Sequence, residues 1–124
     1  MTGLGGSLER AIMEVLWAAD RPLRVREMLP LVTADGARPP AYNTVQTVAD
    51  RLANKGMLTR IPDRNFFRYA PTRSRDDHVT GLMVDMLAQS PDHGSVLARF
   101  ARSVDDDDAR RLMEALRLRI DDEA

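Results

Sequence analysis

The chain has 124 residues, with 18 Lys or Arg against 19 Asp or Glu and a formal net charge of −1. This length predicts one domain or a small domain with an appendage, and the absence of cysteine excludes disulfides, thiol catalysis and cysteine-based metal sites. Because no apolar run approaches the roughly 20 residues of a membrane span and the start lacks a signal-peptide pattern, we expect a cytoplasmic protein.

Charge is distributed unevenly along the chain. Up to residue 72 basic residues slightly outnumber acidic ones, and from residue 73 onward acidic residues are in excess. This asymmetry favours a polyanion-facing first part and a second part with another role.

The first helix is predicted to begin at Leu8, with Ser7 as its cap, and to end before the Asp-Arg-Pro run at 20–22. Trp17 lies beside its apolar stripe and is interpreted as a core anchor rather than a ligand platform. The stripe consists of apolar residues at helical spacing, namely Leu8, Ile12, Val15, Leu16 and Ala19.

A very short extended stretch at 23–25 and a second helix over about 25–33 are expected next. Pro30 lies too deep in this helix to occupy its first turn, and it therefore predicts a kink or an early loosening. The run at 34–40, rich in Gly and Pro, predicts a turn before a third helix that starts at Ala41.

The stretch 41–56, AYNTVQTVADRLANKG, carries the most informative pattern of the chain. Val45, Val48, Ala49 and Leu52 share one stripe of a helix, and Gly56 suits a left-handed helix end. Outward amides and hydroxyls followed by cations suit a helix that reads the major groove of DNA, although an ordinary solvated face would look similar. The residues of this polar stripe are Asn43, Gln46, Thr47 and Asp50.

Two runs rich in β-formers follow at 57–61 and 66–69, with a turn predicted at 62–65. Three helices followed by such a hairpin have the layout of a winged helix-turn-helix. Arg64 at the hairpin tip is either part of an ordinary exposed hairpin or, as we favour after a helix-turn-helix, a phosphate or minor-groove contact.

After a linker at 71–74, Ser74 is expected to cap the first of three amphipathic helices, at about 75–89, 95–103 and 105–120. They look too few to bury their apolar stripes within one chain, so pairing with the same segment of a second chain is expected. We therefore predict a winged-helix domain at 1–72 and a homodimerisation domain at 73–124. The residues expected at the dimer contact are Leu82, Met86, Val96, Phe100, Leu112 and Leu116.

Nothing in the sequence predicts a cofactor, a metal site or catalysis. His78 at a helix start and His93 in a turn lack partners at metal-binding spacing. The four Asp at 105–108 lack the spacing and central Gly of a calcium loop, so helix capping is the better interpretation.

Several segments together resemble the penicillinase-repressor (BlaI/MecI/CopY) family of bacterial winged-helix repressors over nearly the whole chain. The most specific is the Tyr-x-Thr-Val-x-Thr-Val-x-x-Arg-Leu-x-x-Lys-Gly string that begins at Tyr42. The segments are LERAIM at 8–13, LW at 16–17, AYNTVQTV at 41–48, RLANKG at 51–56, RYAP at 68–71 and GLMV at 81–84.

The resemblance implies a homodimer that binds a palindromic double-stranded DNA operator and blocks transcription. Asn43, Gln46 and Thr47 become the expected base readers. Several relatives carry Lys or Arg at the positions of Asn43 and Gln46, and the neutral amides here should weaken the electrostatic share of binding. The expected phosphate contacts are Thr44, Arg51, Lys55 and Arg64.

In family members tied to β-lactam resistance, repression is relieved when a membrane metalloprotease sensor triggers proteolysis of the repressor. The resemblance implies Arg99–Phe100 as the equivalent cleavage site, with Arg99 in place of the Asn of staphylococcal relatives. Copper sensing through the cysteine cluster of other relatives is excluded. Two alternatives stay open, a winged-helix protein-interaction module and a ligand-gated regulator. The scarcity of cations on the third helix favours the first of them.

Overall fold

The computed structural model describes residues 6–32, 38 and 40–123. It confirms a mainly α-helical fold with one small antiparallel hairpin. Within the described residues the elements are α1 Ser7–Ala18, α2 Val25–Met28, α3 Tyr42–Asn54, β1 Leu58–Asp63, β2 Phe66–Pro71, α4 Arg75–Ala88, α5 His93–Ser103 and α6 Asp106–Glu123.

Helix α1 begins one residue earlier than its sequence pattern suggested. Gly6 occupies the N-cap position and Ser7 is already helical, so the prediction that Ser7 caps the helix is wrong. The apolar stripe is otherwise as predicted, with Ile12 and Leu16 fully buried. Met13 joins them in the core, because a helix packed against several elements buries more than one narrow stripe.

Helix α2 is a single turn, so the predicted span of about 25–33 is wrong, whereas the early loosening expected from Pro30 is confirmed. It ends at Met28, two residues before the proline, and turn-type backbone bonds from Leu31 and Val32 to the Met28 carbonyl follow. Proline has no N–H to continue the helical ladder, and its ring obstructs the preceding turn. Most of the predicted turn at 34–40, namely 34–37 and 39, lies outside the described residues.

One apolar core joins α1, α2, α3 and the hairpin. Its residues come from both helices and strands. Tyr69 is the largest of its fully buried side chains in the described part of the chain. The buried cluster comprises Ile12, Met13, Leu16, Leu23, Val25, Met28, Val32, Val45, Val48, Ala49, Leu52, Leu58 and Tyr69.

The hairpin is longer, and its turn tighter, than the sequence suggested. Pro62 and Asp63 belong to β1, where they pair with Phe67 and Phe66, so only Arg64 and Asn65 connect the strands. Pro62 is tolerated because β1 is an edge strand, where a missing N–H removes no neighbouring pairing. The extended stretch predicted at 23–25 is confirmed by Leu23, which exchanges two backbone hydrogen bonds with Tyr69 of β2 at 3.1 and 2.8 Å.

The start of α4 is attached to α1. The Ser74 hydroxyl accepts a hydrogen bond from the Asp77 N–H at 3.0 Å, which confirms its predicted capping role. The Trp17 indole donates to the Arg73 carbonyl at 3.0 Å, and the buried His78 ring lies 5.3 Å from the Trp17 ring. Trp17 is thus a half-buried bridge from the edge of the core to α4.

The described chain forms two compact units that divide between Leu82 and Met83, inside α4. In the second unit, α5 begins at His93 because the Asp92 carboxylate caps it, so the expected turn position of His93 is wrong. Asp105 likewise caps α6 by accepting from the Asp108 N–H at 2.8 Å. Between 83 and 123 every residue is exposed or only half-buried.

Candidate DNA-binding surface

Helix α3 presents one apolar face to the core and one polar face to solvent. The apolar face is as predicted: Val45, Val48, Ala49 and Leu52 are all buried. The exposed face is rotated from the predicted polar stripe. Its residues recur at about one and two helical turns, namely Asn43, Thr44, Thr47, Arg51 and Asn54.

Gln46 and Asp50 lie at the edge of α3 that faces strand β2. The Gln46 side-chain amide donates to the Tyr69 hydroxyl at 2.7 Å and to the Asp50 carboxylate at 3.2 Å. The Tyr69 hydroxyl in turn donates to Asp50 at 2.6 Å. Burial, followed by the hydrogen bond to Asp50, raises the pKa of Tyr69 to about 12. Gln46, predicted as a base reader, therefore also holds α3 against the hairpin.

Thr47 remains outward but uses its hydroxyl proton inside the helix. Its hydroxyl donates to the Asn43 carbonyl at 2.9 Å, which leaves its methyl group and oxygen lone pairs facing solvent. The outward face of α3 therefore offers an amide, a methyl group and acceptor oxygens.

The predicted phosphate-binding cations fall into two groups. Arg51 and Arg64 are exposed and form no ion pair with another described residue. Lys55 instead binds the Glu9 carboxylate with its ammonium at 2.9 and 3.1 Å, and the Glu9 side chain is only 5% exposed. Lys55 thus compensates a buried charge at the junction of α1 and α3, whether or not it also meets a phosphate.

Arg64 stands at the tip of the hairpin in the left-handed region of backbone space, at φ 59°. This conformation is uncommon for a residue with a side chain, and here it lies in a two-residue connection that reverses the chain tightly. The hairpin behind it is held to α2 by Arg68, which binds Asp63 at 2.7 Å and Glu27 at 2.9 Å. Arg64 therefore lies on a hairpin that these ion pairs of Arg68 brace against α2.

Glu27 is the central residue of the contacts that hold the hairpin against α2. Its carboxylate accepts the Arg24 backbone N–H at 2.9 Å and pairs with Arg21 at 3.0 Å as well as with Arg68. The hydrogen bond from Arg24 is the main cause of the lowered pKa of Glu27, and the neighbouring guanidiniums act in the same direction. Hydrogen bonding and charge attraction to Asp63 and Glu27 raise the pKa of Arg68.

The sequence did not predict a recess that lies beside the exposed face of α3. It has a volume of about 200 Å³ and lies between the start of α2, the start of α3 and the hairpin tip. No periodicity or motif pointed to it, because its walls come from three separate segments. The residues around it are Arg24, Val25, Arg26, Tyr42, Gln46, Asn65, Phe66 and Phe67.

The residues predicted for dimerisation and cleavage lie in the last three helices. Met86, Phe100, Leu112 and Leu116 are exposed, and Leu82 and Val96 are half-buried. An apolar groove of about 490 Å³ runs along α6. The Arg99–Phe100 bond lies within α5, where the Arg99 carbonyl accepts the Ser103 hydroxyl at 2.7 Å.

Two further observations concern the described residues alone. They contain no cluster of three His, Asp or Glu side chains suited to a metal ion. None of their helices combines the length and apolar character needed to cross a membrane.

Three helices closed by a hairpin, with an exposed polar face on the third helix beside the hairpin tip, define a winged helix-turn-helix protein. The chain belongs to the penicillinase repressor family, whose family model matches residues 5–117. It is similar to proteins named transcriptional regulator BlaI from two Mycobacterium tuberculosis strains, CDC 1551 / Oshkosh and ATCC 25618 / H37Rv. Each is 45% identical over 114 residues, which cover 90% of this chain and 81% of the relative.

Proposed function

We propose that this protein is a cytoplasmic, homodimeric transcriptional repressor that binds a palindromic operator in double-stranded DNA. The observation that carries the proposal is the exposed polar face of α3, with unpaired Arg51 on it and Arg64 on the braced hairpin beside it. Membership of the penicillinase repressor family and the name of the mycobacterial relatives support a role in transcription.

Base recognition is assigned first to Asn43 and Thr47. With α3 in the major groove, the Asn43 amide is suited to adenine, whose edge presents one donor and one acceptor. The outward Thr47 methyl group is suited to the methyl group of thymine, since the hydroxyl proton is used within the helix.

Gln46 is assigned a narrower role in recognition. Its amide nitrogen already donates to Tyr69 and Asp50, so the side chain retains mainly its amide oxygen for a base. That oxygen can accept from the amino group of adenine or cytosine.

Phosphate contacts are assigned to Thr44, Arg51 and Arg64, with Lys55 as a weaker candidate because Glu9 already binds it. Phosphate contacts fix position on the duplex, and each releases counterions, so affinity should fall steeply with salt. The operator's sequence would then be read by the few outward side chains of α3.

A second copy of the chain is the proposed cover for the apolar side chains of the last helices. Leaving Met86, Leu112 and Leu116 in water forfeits their burial energy, and a two-fold pairing would recover it. A two-fold dimer would place two copies of α3 about one helical turn of DNA apart, which fits a palindromic operator.

Relief of repression by a membrane metalloprotease sensor is part of the proposal, with Arg99–Phe100 as the cleavage site. Since proteases bind extended chains, α5 would have to unwind locally around this bond before cleavage. The Phe100 side chain is 38% exposed, which favours such unwinding in a single chain. A partner chain that covered Phe100 would disfavour the unwinding.

The direct test is a binding titration of the full chain with DNA from upstream of its own gene, compared with random DNA of equal length. We expect tight, salt-sensitive binding to a palindromic fragment and sedimentation of the complex as two chains per duplex. Absence of specific binding at low salt would overturn the repressor assignment and would favour a protein-interaction module.

A further inference from the structure

The recess between the starts of α2 and α3 and the hairpin tip carries an inference that rests on the proposed DNA binding. Among the described residues, it is lined by two arginines, Arg24 and Arg26, and by no acidic residue. Neither arginine forms an ion pair with any residue in the described ranges. The recess is therefore electropositive and suited to an anion.

The carboxylate of Glu27, three residues from Arg24 in the chain, does not offset this charge. It already pairs with Arg21 and Arg68 and accepts the Arg24 backbone N–H. Its lowered pKa keeps it ionised within this network, where it is balanced by cations that lie outside the recess. The guanidiniums of Arg24 and Arg26 thus remain uncompensated.

Arg24 is held in position before any ligand arrives. Its guanidinium lies over the Phe66 ring, 5.3 Å from the centroid, and its buried Nε has no acceptor among the described residues. A stacked guanidinium loses less side-chain freedom on binding than a free one does. The Nε donor of this group is therefore not used within the described part of the chain.

The position of the recess identifies the anion. Tyr42 and Gln46 on one wall belong to α3, and Asn65 and Phe66 on the other belong to the hairpin tip. If α3 occupies the major groove and the hairpin meets the neighbouring backbone or minor groove, the sugar-phosphate strand that separates the two grooves must pass over the recess.

We propose that the recess seats one backbone phosphate of the duplex, bound by Arg24 and Arg26, with Phe66 as the positioning residue for Arg24. Tyr42, which is 41% exposed at the rim, supplies a hydroxyl donor for the same phosphate. The contact is independent of base sequence, so it sets the register of α3 on the DNA rather than the choice of bases.

Two variants, Arg26→Ala and Arg24→Met, test the contact through the salt dependence of DNA binding by the full chain. Each should weaken binding to operator and random DNA alike, by about tenfold at moderate salt. Each should also reduce the slope of log affinity against log salt by roughly 0.9. Arg10→Ala is the matched control, since Arg10 is an exposed arginine of α1 outside the recess. The melting temperature of each variant should stay close to that of the parent chain.

Duplexes in which single phosphates are replaced by neutral methylphosphonates locate the contact. The parent chain should lose affinity at one phosphate per half-site, and that loss should vanish in Arg26→Ala. Phe66→Leu should weaken binding while keeping the salt slope, because the charge of Arg24 remains and only its position is lost.

The outcomes separate this inference from the proposed function. Specific binding by the parent chain, with unchanged slopes in both arginine variants and no phosphate coupled to Arg26, would overturn the phosphate site alone. A parent chain that binds no duplex at low salt would overturn both.

Discussion

Tyr69 joins strand β2 to helix α3 through its hydroxyl, which accepts from Gln46 and donates to Asp50. Its ring is fully buried in the core. Burial of this phenol and its bond to a carboxylate both disfavour the phenolate, which is why its pKa rises to about 12. One side chain thus couples folding stability to the orientation of the helix assigned to base recognition.

This raised pKa predicts an alkaline loss of stability. The unfolded chain releases the tyrosine proton near pH 10, whereas the folded chain keeps it to about pH 12. The contribution of Tyr69 is therefore fully present below pH 10 and is lost between pH 10 and 12, by about 2–3 kcal/mol. Urea unfolding from pH 8 to 11.5, followed by the fluorescence of Trp17, should show this decline. It should be smaller in Tyr69→Phe and unchanged in the control Tyr42→Phe, and equal declines in all three would contradict the assignment.

Lys55 offers a second test at the scale of single residues. Lys55→Met removes the ammonium from the buried Glu9 carboxylate and should lower the free energy of unfolding by about 1–3 kcal/mol. Combining it with Glu9→Gln should recover much of that loss, because the buried carboxylate that lost the ammonium is then replaced by a neutral amide. If Lys55 acts mainly on Glu9, the salt slope of DNA binding will not change. A drop of roughly 0.9 in the slope would instead identify a phosphate contact.

At the scale of elements, α3 is positioned by three neighbours. Its apolar face meets the core, Lys55 beyond its end binds α1, and Gln46 and Asp50 bind β2. These three contacts therefore decide which face of α3 remains outward. The braced hairpin stands next to this face with Arg64 at its tip.

Asn43→Ala and Gln46→Ala should consequently behave differently. Asn43→Ala should cost about 1–3 kcal/mol of binding on the operator and little on random DNA, with no loss of folding stability. Gln46→Ala should also weaken operator binding, and in addition it should destabilise the fold by about 1 kcal/mol because the Tyr69 hydroxyl loses its donor. Paired measurements of operator affinity and urea unfolding would distinguish them. An equal loss on operator and random DNA would remove either residue from the base readers.

For the whole molecule, the two compact units differ in how they bury apolar side chains. The first has a closed core, whereas the described residues of the second include none that is buried. Its helices carry exposed Met86, Leu112 and Leu116 along with an apolar groove on α6. This contrast supports a partner for the second unit rather than for the first.

Leu116→Glu tests that partnership. A carboxylate at the proposed two-fold contact would bury like charges against each other, so we expect monomers in sedimentation and a loss of operator affinity of at least about tenfold. Arg110→Ala, on an exposed position of the same helix, should leave the dimer intact. A dimer that persists in Leu116→Glu would place the contact elsewhere.

Local patterns in the sequence were enough to predict the order of the elements, the early end of α2 at Pro30, and the left-handed turn at Gly56, which has φ 84°. Apolar periodicity and the special backbones of proline and glycine act over a few residues, so they can be read without the fold. The outward face of α3, the binding of Lys55 to Glu9 over 46 positions, and the attachment of Trp17 to Arg73 over 56 were decided only by the tertiary structure. The physical reason is that such partners meet through packing of whole elements, and which polar atoms they satisfy depends on how those elements are oriented.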